Sequence, residues 1–99
     1  MARSSRLESG FQDRLREELL DMLPGCWVLK MDQFQGIPDL LILYNNKWAM
    51  LENKKSKNAH KQPNQDYYVE LFDNMSFARF VYPENMDEVL DELYLYFTY

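Results

Sequence analysis

The chain predicts a fold of the α/β (α+β) class with element order αβββαβα, a mixed central sheet flanked by helices. Three observations carry that reading. Apolar residues recur at three- and four-residue spacing in three separate segments, short apolar runs lie between them, and Asn45-Asn46 stands between two of those runs as a turn signal. From about Ser5 to Leu23, Leu7, Phe11, Leu15, Leu19, Met22 and Leu23 form one helical stripe, which Pro24-Gly25 stops. CWVLKM (26–31) reads as a strand and DQFQGI as a polar loop turning at Gly36. DLLILY (39–44) and KWAMLEN (47–53) read as a hairpin, because Asn tolerates positive φ well enough for a two-residue primed turn. Pro63 opens a helix running to about Asn74. SFARFVY (76–82) alternates as a strand, with Phe77, Arg79 and Val81 on one face and Ala78, Phe80 and Tyr82 on the other. Asn85 with Glu88 three residues on predicts a capping pair for a last helix from Met86.

Ninety-nine residues predict one small domain spanning 1–99. A hydrophobic fraction of 46% excludes a disordered composition. No apolar run approaches the roughly 18 residues of a membrane span, and the N-terminus lacks the apolar core of a secretory signal. One cysteine, Cys26, cannot form an internal disulfide and reads as a small buried apolar residue. An intracellular, cytoplasmic protein without a membrane partner is the expectation. The net charge of −5 argues mildly against a nucleic-acid partner, but its distribution does not. Residues 1–61 hold ten Lys/Arg against eight Asp/Glu, while residues 62–99 hold one against eight. The segment KKSKNAHK (54–61) is locally basic, so one face can meet phosphate while another faces water.

The hairpin raises a chemical question. If Asn45-Asn46 form the turn, Tyr44 pairs with Lys47, and extending that register sets Asp39 opposite Glu52. Alternation then puts Leu41, Leu43, Trp48, Met50 and Lys54 on the face of Asp39 and Glu52, and Leu40, Ile42, Ala49 and Leu51 on the other. Both faces are apolar near the turn, which predicts burial on both sides. Carboxylates facing each other with Cβ atoms about 4.5–5.5 Å apart repel unless a cation intervenes. Lys54 supplies part of that charge. Two arrangements answer the remainder: an acid–lysine pair at a sheet edge, or a divalent ion such as Mg²⁺ or Mn²⁺ on hard oxygen ligands.

Pro38-Asp39, twelve residues, then Glu52-Asn53-Lys54 resembles the motif of the PD-(D/E)XK nucleases. "GIPD" at a strand start, "LENKKS" at the next strand's end and the "PNQDYYV" helix are together most similar to the small stand-alone, phage-type VRR-NUC nucleases. The resemblance spans about Glu8 to Leu93 and implies a restriction-endonuclease-like core. It also implies a Mg²⁺-dependent DNA endonuclease, with Mn²⁺ able to substitute. Asp39, Glu52 and the backbone carbonyl of Asn53 hold the ion in that reading, and Lys54 orients or helps deprotonate the attacking water. The products are a 5′-phosphate and a 3′-hydroxyl.

Supporting residues follow from the same resemblance. Many relatives carry a further acid on the first helix, for which Glu8 is the candidate ligand. Gln12, one turn later, stands where some related resolvases have Glu. The competing reading of Glu8 is a first-turn acid favoured by the helix dipole. Gln65, opening the second helix, matches a Gln that relatives place near the active site. Lys55, Ser56, Lys57, His60 and Lys61 surround the end of the catalytic strand, where a DNA backbone would pass. His60, the single histidine, has no Cys partner at ligand spacing and is expected to touch DNA rather than metal. The aromatic end LYLYFTY exceeds what one helical face needs, and a homodimer interface is the expected use of the surplus.

A chain this short shows no recognition insertion, so structure-selective cleavage of branched or junction DNA, or weakly sequence-specific cleavage, is expected. The alternative is a catalytically weak nuclease-fold module that binds DNA or protein. A third possibility, a small acidic interaction protein, leaves the 39/52/54 constellation unexplained.

Overall fold

The computed structural model describes residues 3–31, 33–61 and 63–99, with side chains from residue 10 onward. Along the chain run α1 (Arg3–Met22), β1 (Trp27–Lys30), β2 (Leu40–Tyr44), β3 (Lys47–Asn53), α2 (Pro63–Met75), β4 (Ala78–Val81) and α3 (Met86–Thr98). The sheet order is β1-β2-β3-β4. β1–β2 and β2–β3 pair antiparallel, whereas β4 runs parallel to β3 after the α2 crossover. A mixed α+β sheet with this element order is what the sequence predicts.

Each element has a local cause. Leu15, Leu19 and Leu23 fall at successive turns of one helical stripe and are fully buried. Pro24 follows, and Gly25 takes φ +88°, a conformation that ends the helix at little cost only for glycine. Burial pushes the Cys26 thiol up from its ordinary pKa, and its Sγ lies 3.7 Å from the Leu19 carbonyl. At the hairpin tip, Asn45 and Asn46 hold φ of 52° and 64°, the paired positive values of a type I′ turn. That turn fixes the ladder from Tyr44↔Lys47 to Leu40↔Leu51, as the alternation predicts. Asn45 Nδ2 and Lys47 Nζ donate to the carbonyls of Phe97 and Tyr96, at 3.2 and 2.7 Å, fastening the tip to the end of α3.

The sheet separates two apolar layers. Leu40, Ile42, Ala49 and Leu51 face α1 and α3 together with Phe77, Val81, Leu93 and Phe97. Met50 and Ala78 face α2 through Val69, with Leu41, Trp48, Phe72 and Phe80 around them. The two-sided burial expected of the hairpin holds over β3 but not near the turn of β2. α2 packs on β3 and β4, which leaves Leu43 and its β1 neighbour Trp27 exposed.

Two further expectations are corrected. The last strand covers Ala78–Val81 rather than 76–82, because Ser76 closes α2 through its N–H to Phe72 O (2.9 Å). The Ser76 hydroxyl also hydrogen-bonds the Trp48 carbonyl and the Tyr96 hydroxyl. Asn85 does not cap α3 with its side chain. Its Oδ1 accepts from Tyr82 N (2.8 Å) and its Nδ2 donates to Phe80 O (3.1 Å), so the amide closes the β4–α3 turn instead. Asp87 and Glu88 in the first turn of α3 still complement the helix dipole.

Candidate active site

The end of β3 carries three consecutive polar residues that the fold buries: Glu52 and Asn53 are each 3% exposed and Lys54 9%. Charged groups are rarely so enclosed without partners, and here the partners arrive from distant segments. Lys54 N donates to Val81 O at 2.8 Å, extending the parallel ladder one residue past β3. Lys54 Nζ donates to Gln65 Oε1 at 2.5 Å and to the His60 carbonyl at 3.1 Å. Gln65 Nε2 in turn donates to Glu52 Oε2 at 3.0 Å. Only one orientation of the Gln65 amide serves both neighbours, since the ammonium needs an acceptor and the carboxylate a donor. The opening turn of α2 thus bridges acid and base at the strand end.

Asp39 approaches from the other strand of the hairpin. Regular pairing ends at Leu40↔Leu51, one residue short of it. Its Oδ2 accepts from the backbone N–H of Asn53 at 3.0 Å, which places its carboxylate beside the residue that follows Glu52. Pro38, fully buried, anchors the approach. A closed loop precedes it, with Met31 N donating to Asp39 O at 2.7 Å. Gly36 in that loop holds φ +87°, and a Cβ there would lie 3.0 Å from Asn64 Cβ and 3.3 Å from the Tyr68 ring. The loop therefore rests on the first turns of α2, beside Gln65. Tyr68 is half-buried at this contact and stacks on Phe72.

Asp39, Glu52, Lys54 and Gln65 are thereby gathered at one end of the β2–β3 hairpin. Strand alternation turns the Asn53 side chain to the opposite face, where its amide atoms are buried without a hydrogen-bond partner among the described residues. Lys55, Lys57, His60 and Lys61 stand exposed on the loop after β3, with Ser56 half-buried, so this basic segment rims the same strand end. Lys61 Nζ sits 4.2 Å from the Phe80 ring centroid and 3.8 Å from Asp66 Oδ1. The side chain of Glu8, on α1, lies outside the described residues. Gln12, one turn on, is half-buried.

Two carboxylates from adjacent strands supply hard oxygen donors. Mg²⁺ and Mn²⁺ commonly take one or two protein carboxylates and complete their shells with water and phosphate oxygens, so the donor set fits such an ion. Among the described residues, no group of three or more His, Cys, Asp and Glu side chains gathers to hold a metal. No helix among them is long and apolar enough to cross a membrane.

Sequence reading expected Asp39, Glu52, Lys54 and Gln65 at one site, and the structure brings these four together.

No family model matches the chain, and no curated protein matches it. A solved structure described as a VRR_NUC domain superposes with a TM-score of 0.67 and 26% identity, covering 86% of this chain and 95% of that one. The overall fold described above is thus similar to that of a nuclease domain. Over nearly its whole length, the chain resembles a VRR-NUC domain, a nuclease domain of the PD-(D/E)XK type.

Proposed function

We propose that this protein is a metal-dependent endonuclease that hydrolyses phosphodiester bonds in DNA, selecting branched or junction structures or acting with weak sequence preference. The observation that carries the reading is the Glu52–Gln65–Lys54 hydrogen-bonded chain, buried at Glu52 and Lys54, with the Asp39 carboxylate beside it. Asp39, Glu52 and the Asn53 backbone carbonyl would hold Mg²⁺, or Mn²⁺ in its place, with Glu8 as a further candidate ligand. When bound, the ion supplies a lowered pKa for the attacking water and positive charge against the phosphate.

The chain's own groups do the rest. Gln65 holds Glu52 and Lys54 at fixed separation, so neither has to reorganise as charge develops. Lys54 presents an ammonium whose further N–H faces the reacting phosphate, where it orients the water and offsets negative charge. The Asp39 carboxylate is steadied by the Asn53 N–H. Lys55, Lys57, His60 and Lys61, with Ser56, meet the DNA backbone, a sequence-independent contact.

A homodimer belongs to the same reading. Tyr94, Leu95 and Tyr99 are exposed on α3 and just after it, while Leu93 and Phe97 are consumed by the core. The exposed group is the face proposed to pair with a second copy.

The deciding experiment is cleavage of labelled single-stranded, duplex, flap and four-way-junction DNA with Mg²⁺, Mn²⁺ or EDTA, using wild type and Asp39→Ala. Cutting that requires metal and Asp39 is expected. Ordinary activity in Asp39→Ala would sink the site assignment. A folded wild-type protein that binds DNA but cuts nothing would make it a catalytically weak binding module.

A further inference from the structure

Resting on the nuclease reading, we infer that Phe34 is a specificity residue whose ring stacks on an unpaired base beside the scissile phosphate. The substrate class is then DNA carrying an unpaired nucleotide next to the cleaved bond. The loop between Met31 and Asp39, described except at position 32, is built to present that ring. Its ends are joined by Met31 N to Asp39 O (2.7 Å), and inside it Phe34 N reaches Met31 O (3.4 Å) and Ile37 N reaches Phe34 O (3.2 Å). Gly36, at φ +87°, holds the far side against Asn64 and Tyr68 of α2. Pro38 is fully buried, and Met31 and Ile37 pack onto the core beneath. Phe34, the largest apolar group of the loop, is nonetheless 54% exposed. Folding therefore leaves this ring largely unused, while its mounting is fixed.

The surroundings identify the occupant. The loop closes on Asp39, and its glycine touches the residue next to Gln65. Five residues of fully extended chain reach about 17 Å, and a closed loop reaches less, so the ring lies within a few nucleotides of Asp39. Gln33 and Gln35 flank it and are exposed. One ring flanked in sequence by two amides is a small apolar area for a protein partner, but it suits a single base, with π-stacking on the ring and hydrogen bonds to the base edge. The exposed Lys55 and Lys57 on the loop after β3 complement the phosphates on either side. A base in the interior of a duplex is stacked on both faces and cannot offer one to such a ring, whereas an unpaired one can.

The test uses two DNAs of the same sequence: a flap carrying 2-aminopurine at its unpaired junction nucleotide, and a blunt duplex. Binding is measured in EDTA for wild type, Phe34→Ala and Phe34→Trp. Wild type should quench the 2-aminopurine. Phe34→Ala should lose the quench and bind the flap about tenfold more weakly, with duplex affinity unchanged, and Phe34→Trp should restore both. Equal loss on both DNAs, or retained quenching in Phe34→Ala, overturns the inference. So does a dimer that becomes monomeric in Phe34→Ala, since the ring would then face a second copy. Cleavage separates the two levels of argument. If wild type cuts in an Asp39-dependent way and Phe34→Ala keeps the same flap-to-duplex ratio, the nuclease reading stands and this one falls. If wild type neither binds nor cuts either DNA, both fall.

Discussion

Replacing Gln65 with alanine tests the centre of the site most directly. Among its contacts, the side chain hydrogen-bonds the Glu52 carboxylate (3.0 Å) and the Lys54 ammonium (2.5 Å). Bonds to charged groups contribute about 1.5–3 kcal/mol each, so the gross loss is about 3–6 kcal/mol. Part of it is recovered. Lys54 keeps the His60 carbonyl, and Gln65 is only half-buried, so water reaches the vacated space. A net destabilisation of about 2 kcal/mol remains, which for a domain of this size lowers Tm by about 10 °C. The cleavage step loses the fixed placement of Lys54, equivalent to one such bond in the transition state. That corresponds to a rate about 10- to 100-fold lower. In the proposed reading DNA affinity rests on the exposed lysines, so it should change less than about twofold. The assay is single-turnover cleavage with Mg²⁺, paired with a dissociation constant in EDTA and a thermal melt. A lowered Tm with a wild-type rate would refute the argument and make Gln65 a purely structural bridge. A rate that falls only in step with affinity would move it to DNA binding.

Other outcomes follow from the same geometry. Gly36→Ala forces a positive φ on alanine and brings its Cβ to 3.0 Å from Asn64 Cβ; it should cost about 1–3 kcal/mol, and an unchanged urea midpoint would contradict the close approach. Phe97→Ala empties a site that is 1% exposed and bordered by Tyr44 and Tyr96. It should destabilise by about 3–5 kcal/mol in denaturant melts, and a loss below about 1 kcal/mol would mean the core had closed around the gap. Tyr94→Ser with Leu95→Ser should shift a dimer toward monomer in sedimentation while Tm changes little, because both side chains are exposed. An unaltered mass for an otherwise dimeric protein would put the interface elsewhere. Truncation after Leu93 is a poorer probe, since it also removes Phe97 from the core.

The turn and register of the hairpin were legible in the sequence, because a turn and a period of two are local properties. Two asparagines that accept positive φ set the register from Tyr44↔Lys47 to Leu40↔Leu51, and just past its end Asp39 meets the Asn53 N–H beside Glu52. The same logic sorted Phe77 and Val81 from Ala78 and Phe80 onto the two core layers. Competition for hydrogen bonds was not legible. Asn85 had the spacing of a helix cap, but the chain reversal after β4 offered its amide two better-placed backbone partners. The covering of the sheet was not legible either. Which strands α2 shields depends on where the crossover lands, and it lands on β3 and β4, leaving Leu43 in water.

The candidate site divides along that line. The residue types and their strand faces were determined by the sequence, since neighbours on a hairpin are fixed within a few residues of the turn. The tertiary structure decided what those residues can do. It brought Gln65, eleven residues beyond Lys54, to stand between acid and base, and it set the loop of Gly36 against Asn64 and Tyr68 of α2. Contacts of that kind depend on the packing of α2 against the sheet, a balance of buried surface over the whole chain that no local spacing encodes.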